Sequence, residues 1–337
     1  MAITFRNLPK GSTIGSGSYV FRHYGDEVPA VVIPDLCFTA KEAGSTVAMA
    51  VSSTPTKGQA FEYSIDGTNW SVFTPGTTTI TLANVGDKVY FRGDNTTVNE
   101  SSSIYYKFVM SGKIAASGNI MSLLDKTCQS TTISNNYCFC NMFYGCTSLT
   151  TAPALPATTL ASNCYYYIFN GCTSLTTAPS LPATTLAKNC YYYMFSDCTS
   201  LTTAPSLPAT TLESRCYSNM FYGCTSLTTA PALPATTLVN YCYSNMFQDC
   251  TSLITAPALP ATTLANNCYS NMFRGCTSLQ VYSSSGTGHT KAWRVPTSGS
   301  ASSYTSQNRM FYNCPGSYKS NTSVSLNRTF YTQNTPV

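Results

Sequence analysis

The side chains of this sequence that are best suited to chemistry are its sixteen cysteines, because histidine occurs only twice, at His23 and His289. Most of the cysteines fall into two series with a constant 26-residue spacing, and Cys314 extends the second series. Thiols in such number suggest disulfide bonds or zinc sites. The first series is Cys138, Cys164, Cys190, Cys216, Cys242 and Cys268, and the second is Cys146, Cys172, Cys198, Cys224, Cys250 and Cys276.

The spacing of the two series argues against both kinds of bond. Equivalent residues on stacked repeats lie about 4.8 Å apart with parallel Cβ directions, whereas a disulfide needs Cβ atoms about 3.8 Å apart and a twisted dihedral. Cys190 and Cys198 are eight residues apart, which is about 12 Å along a helical segment. Neither histidine lies near the series, so zinc ligands do not converge. We therefore predict buried, reduced cysteines, no metal and no cofactor, and folding in a cytosol.

The 26-residue period extends beyond the cysteines and predicts the elements that carry them. One unit, residues 172–197, reads CTSLTTAPSLPATTLAKNCYYYMFSD. Residues 174–178 have the threonine-rich character of a short strand, and two prolines then direct the chain out of the sheet. A solenoid is typical of such a period, because each coil covers the apolar face of its neighbour. Four residues follow at the spacing of one face of a short helical turn: Cys190, Met194, Phe195 and Cys198.

Two segments carry a family resemblance, MFSDCTSLTTAP at residues 194–205 and MFYGCTSLTTAP at residues 220–231. Both resemble the AFxGCTSLTSVTIP core of BspA-like leucine-rich repeats, with Cys190 in the place of the aliphatic residue that opens the helical segment in that family. The unit here is a few residues longer, and the extra length lies in the proline-rich stretch. The resemblance covers residues 130–280 and implies a leucine-rich-repeat solenoid. It also implies adhesion, since such repeats are a frequent adhesive module on the surfaces of gut and oral bacteria.

The repeats follow a segment that we interpret as a small β domain over residues 35–115. Short candidate strands alternate with turn residues, and the Asp66-Gly67 pair between two of them is a strong hairpin signal. This pattern favours an immunoglobulin-like β-sandwich in which Trp70 is a core residue. The seven candidate strands are residues 36–40, 46–51, 60–65, 70–73, 77–82, 88–92 and 104–110.

The predicted fold class is therefore mainly β with short helical turns: an N-terminal Ig-like β-sandwich followed by a leucine-rich-repeat solenoid of 26-residue coils over residues 116–280. Residues 281–337 break the period with a 12-residue insertion and are predicted as an irregular C-terminal cap. Residues 1–34 show no strand or helix period, which leaves two interpretations open, a flexible terminus or an arm that orders on a larger assembly. The candidate anchoring residues are Phe5, Tyr19, Phe21 and Tyr24.

Charge is scarce, and its distribution excludes some partners. Only 9% of the residues are charged, and the net charge of +5 arises in residues 281–337, which hold five basic residues and no acid. Residues 129–280 carry three basic and three acidic side chains, so they lack the basic face that nucleic acid requires. No apolar stretch approaches the roughly 18 residues of a membrane-spanning helix. We therefore expect neither nucleic-acid binding nor membrane insertion.

The sequence offers no arrangement that we would assign to catalysis. It contains no G-x-S-x-G and no H-E-x-x-H motif. The repeat units have no histidine, and their three acids lie on different units, which does not suit a pair of catalytic carboxylates. We therefore expect a protein that is not an enzyme and has no catalytic residues.

A binding surface is the remaining expectation, because the outer positions vary between units while the core positions do not. An uncharged surface of Thr, Tyr and Asn suits a glycan or a protein partner. A column of tyrosines, Tyr165, Tyr191, Tyr217, Tyr243 and Tyr269, is interpreted as packing over the helical segment rather than as a ligand stripe. The candidate surface residues are Thr150, Thr176, Thr202, Thr228, Tyr144, Asn170, Tyr222, Gln248 and Arg274.

Two functions fit these observations. One is a bacteriophage virion fibre or decoration protein, which folds in the host cytoplasm, docks on other virion proteins through the arm and displays the solenoid for attachment to a host glycan or protein. The alternative is a cell-surface BspA-like adhesin of a gut bacterium. The opening residues lack the basic-then-apolar order of a secretory signal, so we favour the virion protein unless a leader has been removed. Both functions are compatible with a homo-oligomer.

Overall fold

The computed structural model describes residues 35–282 except 54, 55 and 57, together with residues 284, 286, 291–294, 298–299, 309–316 and 329–332. These residues belong to one compact unit, Pro34–Val337, and a second unit, Met1–Ile33, lies outside them. The described chain is mainly β, as predicted, and its one helix is a short 3-10 helix at Ile120–Leu123. The candidate anchoring residues Phe5, Tyr19, Phe21 and Tyr24 lie outside the described residues.

Eight strands precede the repeats, and we call them together the sheet region. All seven predicted strands are present, with ends that differ from the prediction by no more than two residues. The eighth strand was not predicted, and it crosses the predicted domain boundary at residue 115. The strands are β1 (Leu36–Ala40), β2 (Ser45–Val51), β3 (Phe61–Ser64), β4 (Ser71–Phe73), β5 (Thr79–Leu82), β6 (Lys88–Gly93), β7 (Tyr106–Ser111) and β8 (Ile114–Ser117).

The strands of the sheet region form two sheets, and one of them continues into the repeats. Strands β5, β2 and β7 form a three-stranded sheet in that order. The larger sheet has the order β4-β3-β6-β1-β8-β9, where β9 (Leu149–Thr151) belongs to the first repeat unit. All pairs in both sheets are antiparallel except β8 with β9, which is parallel. Because β8 pairs with β9, the sheet region is the base on which the repeats stack.

The two sheets share an aromatic core. The ring of Phe38 on β1 packs edge-on against Phe91 and against Phe108, which lies on the other sheet, with centroids 5.6 and 4.7 Å apart. All three side chains are buried. Trp70 is not part of this core, contrary to the prediction: it is half-buried, and the guanidinium of Arg92 lies 3.8 Å from its ring centroid. An arginine above an indole face keeps its charge in water while the ring is covered.

Successive repeat units stack in parallel, and each pairs with the next through residues 26 apart, except for Thr132 and Thr159, which are 27 apart. Two columns of threonines mark the stacking, one following β9 and the other following the proline-rich stretch. Each bridge is short because prolines, which cannot donate to a ladder, flank it. The first column pairs Thr151 with Thr177, Thr177 with Thr203, Thr203 with Thr229 and Thr229 with Thr255, and the second pairs Thr132 with Thr159, Thr185 with Thr211 and Thr237 with Thr263.

The return leg of each unit, which we call the turn segment, is a run of reverse turns and not the predicted helical turn. In residues 163–172 every fourth residue is left-handed: Asn163, Tyr167 and Gly171 have φ of 59°, 57° and 72°. A left-handed residue interrupts an α-helix, so the chain closes a new turn at each of these positions. The equivalent segments are residues 137–146, 189–198, 215–224, 241–250, 267–276 and 309–314.

Backbone hydrogen bonds in the turn segment alternate between the unit and its neighbour. The N–H of Ile168 donates to the carbonyl of Tyr165 inside the same turn, at 3.2 Å. The N–H of the preceding residue, Tyr167, donates to the carbonyl of Tyr192 in the following unit, at 3.0 Å. Even-numbered residues therefore bond within the turn through N–H, and odd-numbered residues bond to the next unit. This alternation pairs the backbone groups of a leg that is neither strand nor helix.

The described parts of the C-terminal segment continue the stacking. Strand β10 (Thr263–Leu264) pairs in parallel with β13 (Ser298–Gly299), and Phe273 N–H donates to the Met310 carbonyl at 2.9 Å. The predicted insertion includes β12 (Lys291–Arg294), which forms a three-stranded antiparallel sheet with the two strands β11 (Val281–Tyr282) and β14 (Thr329–Thr332) in the order β11-β14-β12.

Candidate functional site

The threonines of the candidate surface lie along the first stacking column. Thr176, Thr202 and Thr228 are exposed, whereas Thr150 is half-buried and its hydroxyl donates to the Ile114 carbonyl at 3.0 Å. The Thr176 hydroxyl in turn donates to the Thr150 carbonyl at 3.2 Å. The hydroxyls of Thr150 and Thr176 therefore form hydrogen bonds to the neighbouring strand.

The other candidate surface residues lie on the turn segments, just before the last left-handed position. Tyr144 is 39% exposed, and the ammonium of Lys107 lies 5.2 Å from its ring centroid. Asn170, Tyr222, Gln248 and Arg274 are half-buried. The threonines lie in the strand part of each unit and these residues lie in the turn segment, so the candidate residues form two strips.

The column of Tyr165 and its equivalents is buried, so packing accounts for it as predicted. Each of the five tyrosines has no more than 2% of its side chain exposed, and neighbouring rings stack with centroids 5.8 to 6.1 Å apart. A second, phenylalanine column runs beside it at 5.3 to 5.7 Å: Phe108, Phe143, Phe169, Phe195, Phe221, Phe247, Phe273 and Phe311. The first member, Phe108, belongs to β7, so the core of the sheet region continues into the stack.

The cysteines are buried, which confirms that part of the prediction. All sixteen lie among the described residues, and none is in a disulfide. In the second series the thiol of each cysteine from Cys172 to Cys276 donates to the phenylalanine carbonyl of the preceding unit, at 3.0 to 3.2 Å. The carbonyl of Phe169, for example, accepts both the N–H of Cys172 and the thiol of Cys198. The series therefore links successive units through their backbone.

Burial holds these thiols in the neutral form. Loss of solvation raises the pKa of Cys138 to about 11 and that of Cys146 to about 12. Because the thiolate is the reactive form of cysteine, nucleophilic chemistry is disfavoured at these positions. Within the ranges that the structure describes, no three residues of the His, Cys, Asp and Glu types lie close enough together to hold a metal ion.

Sequence reasoning missed a group of five tyrosines on the outer side of the turn segments. We call Tyr144, Tyr166, Tyr167, Tyr192 and Tyr193 the tyrosine cluster. The rings of Tyr166 and Tyr192 stack at 5.2 Å, and those of Tyr167 and Tyr193 stack at 4.7 Å with an interplanar angle of 6°. Tyr144 packs edge-on against Tyr167 at 6.2 Å. The signal was present in the sequence, because two units read CYYY where three later units read CYSN.

The rings of the tyrosine cluster remain partly exposed in the described structure. Tyr144 has the largest exposed fraction, and the other four side chains are half-buried. Burial raises the pKa of Tyr193 to about 12 and raises the pKa of Tyr167 as well. The cluster is therefore a neutral aromatic surface with hydroxyl groups that can donate and accept hydrogen bonds.

Comparison of the chain with protein-family models, with curated proteins and with solved structures finds no match of any of these three kinds. None of the helices in the described residues has the length and apolar character needed to cross a membrane.

Proposed function

We propose that this chain is a non-enzymatic attachment protein of a bacteriophage virion, a fibre or decoration protein that presents stacked repeats to a host glycan or protein. In this proposal the sheet region is an immunoglobulin-like sandwich, and the repeats form a leucine-rich-repeat solenoid of the BspA-like type. Support for the solenoid comes from the parallel bridges between equivalent threonines of successive units and from the buried columns that run through those units.

The observation that carries the attachment function is the contrast between the inside and the outside of the stack. The phenylalanine and cysteine columns repeat with almost no change, while the position of Tyr144 becomes Asn170, Ser196, Tyr222 and Gln248 in later units. A constant core with a varied, uncharged outer face is the pattern of a scaffold that displays a binding surface. Catalysis does not need outer positions that repeat along the stack with a different side chain in each unit.

The cysteines favour a virion protein over an exported adhesin. Sixteen buried and reduced thiols suit a chain that folds in a reducing cytosol, where disulfides are rare. A bacteriophage protein folds in the host cytoplasm before assembly, whereas a surface adhesin matures outside it. The resemblance of MFYGCTSLTTAP to BspA-like repeats keeps the cell-surface adhesin as the second candidate.

The test is to locate the protein and then to remove the candidate arm. We expect mass spectrometry to find the chain in purified particles and not in the outer-membrane fraction of the bacterium. Deleting residues 1–30, which include Phe5, Tyr19, Phe21 and Tyr24, should abolish incorporation into particles and leave the thermal transition of the remainder unchanged. If the chain without residues 1–30 is incorporated normally, the arm has no role in incorporation. If the protein is recovered only from the outer membrane, the adhesin is favoured.

A further inference from the structure

At the positions of the tyrosine cluster, other units have different residues and adopt the same backbone conformation. Tyr167 and Tyr193 are left-handed, with φ of 57° and 54°. Asparagine is among the residues that tolerate this conformation best, whereas a bulky side chain there is uncommon and strained. Four other units use asparagine at the equivalent position with φ of 52° to 59°, Asn141, Asn219, Asn245 and Asn271, and the last unit has Arg309 there.

The neighbouring tyrosines also replace residues that fit the backbone well. Tyr166 and Tyr192 correspond to Ser218 in the next unit, whose hydroxyl donates to the carbonyl of Ser244 at 3.1 Å. A serine at this position thus adds a bond between units, which a tyrosine ring directed outward does not supply. Two adjacent units therefore carry four tyrosines that the stacking does not require.

The exposed area of the cluster favours a small ligand over a protein partner. Five tyrosine side chains of about 150–250 Å² each, none more than 39% exposed, leave at most roughly 500 Å² of aromatic surface. A stable protein interface buries about 800 Å² on each partner. At the positions of Tyr192 and Tyr193 the next three units carry serine and asparagine, so these two tyrosine stacks end after two units. This area is suited to a few sugar rings.

The charge around the cluster selects a neutral ligand. Residues 129–187, which include Tyr144, Tyr166 and Tyr167, contain no charged side chain. Lys107 lies over Tyr144. Lys188 lies four residues before Tyr192, and Asp197 lies four residues after Tyr193. These charges are few and of both signs, so the cluster has no concentrated charge that would select an anionic or a cationic ligand.

We infer that the tyrosine cluster is a binding site for a neutral saccharide of the bacterial surface, an inference that rests on the attachment function proposed above. The C–H groups of a sugar ring carry a small positive charge and pack on the negative face of an aromatic ring. Sugar hydroxyls exchange hydrogen bonds with the tyrosine hydroxyls at the rim of the same surface. Each stack ends at this unit, because Tyr192 and Tyr193 are followed by the smaller side chains of Ser218 and Asn219, so no further ring of the same stack covers them.

The experiment measures binding of the full chain to an array of purified bacterial surface polysaccharides with neutral and acidic members. The variant Y166S/Y167N/Y192S/Y193N carries the residues that three other units use, so its fold is expected to persist, which circular dichroism checks. We expect the wild type to bind neutral members and the variant to bind them at least tenfold more weakly. The variant S218Y/N219Y extends the cluster by one unit and should bind several-fold more tightly.

A matched control changes exposed threonines that belong to neither the tyrosine cluster nor the candidate surface. The variant T184A/T210A/T236A removes three such hydroxyls and should bind as the wild type does. Equal binding by the wild type and the quadruple tyrosine variant, or binding of acidic members alone, would overturn the inference. So would wild-type binding to intact host cells that is lost after protease treatment of the cells but survives periodate, because the partner is then a protein.

Binding to intact cells also separates this inference from the proposed function. If the wild type and the quadruple variant attach equally to host cells, the attachment function stands and the saccharide site is wrong. If the wild type attaches to no host cell, the proposed function fails, whatever the polysaccharide array shows.

Discussion

A carboxylate oxygen of Asp249 occupies the place where a Cβ atom on Gly275 of the next unit would lie. Asp197 and Gly223 have the same relationship one pair of units earlier. Both aspartates have a φ of 59°, and both glycines have a φ near 70°. Aspartate in one unit and glycine in the following unit are therefore a coupled pair, which explains why the two residue types alternate from Gly171 to Gly275.

We expect Gly223→Ala to cost more stability than Gly171→Ala. Both glycines are left-handed, so each substitution carries the cost of about 1–2 kcal/mol for a Cβ in that conformation. At Gly171 the nearest atom to the new Cβ is the Gly145 Cα at 3.6 Å, an ordinary contact, whereas at Gly223 the Asp197 carboxylate must move. Urea denaturation measures both, and adding Asp197→Gly should restore G223A to the level of G171A. Equal costs would show that the pair is not coupled.

The two cysteine series should respond differently to serine. Cys216→Ser places a hydroxyl in a buried site and is expected to destabilise the fold by about 1–3 kcal/mol. Cys224→Ser should cost less, because its hydroxyl keeps the Phe195 carbonyl, which the Cys224 thiol reaches at 3.0 Å, as an acceptor. Free energies of unfolding measured with reductant present make the comparison. A larger loss for C224S would contradict the role of the carbonyl.

Stability should fall at alkaline pH. Burial raises the pKa of Cys146 to about 12 and that of Cys138 to about 11, against about 8.5 in an unfolded chain. The unfolded state then loses its protons first, so the stabilisation is complete below about pH 8.5 and is lost progressively towards about pH 12. Each such thiol lowers the free energy of unfolding by about 1.4 kcal/mol per pH unit. Urea titrations at several pH values should show this slope, and Cys146→Ala should reduce it.

Tyr165→Phe is expected to stabilise the protein. The Tyr165 hydroxyl is buried and has no hydrogen-bond partner among the described residues, which costs about 1–3 kcal/mol for an uncompensated polar group. The first unit already has phenylalanine, Phe139, at the equivalent position, and its ring stacks on Tyr165 at 5.9 Å. The midpoint of urea unfolding should rise. A fall would indicate that the hydroxyl has a partner, such as a buried water.

The sequence predicted the sheet region better than the turn segment, for a physical reason. Alternating burial and turn residues mark strands directly, as in β2 and at the Asp66-Gly67 hairpin. In the turn segment the spacing of Cys190, Met194 and Cys198 fits a helix of 3.6 residues per turn and a run of four-residue turns equally well. The difference is the left-handed backbone, which even Tyr167 adopts, so composition alone did not reveal it.

The candidate site was predicted only in part. Exposure of Thr176 and Tyr144 follows from their place outside the apolar period, and the structure agrees. The tyrosine cluster was missed because Tyr166 and Tyr167 stand next to the buried Tyr165, in a run that reads as one packed column.

The alternation of hydrogen bonds in the turn segment also governs how the length of the chain can change. Donors and acceptors occupy the same positions in every unit, so adding or removing a whole unit restores the bonds at the new junction. Loss of a single residue within the segment would exchange the two roles in all later positions of that leg. Recombination between the nearly identical units therefore lengthens or shortens the stack in steps of about 4.8 Å without a new interface. The distance that the stack spans is therefore set by the number of repeat units.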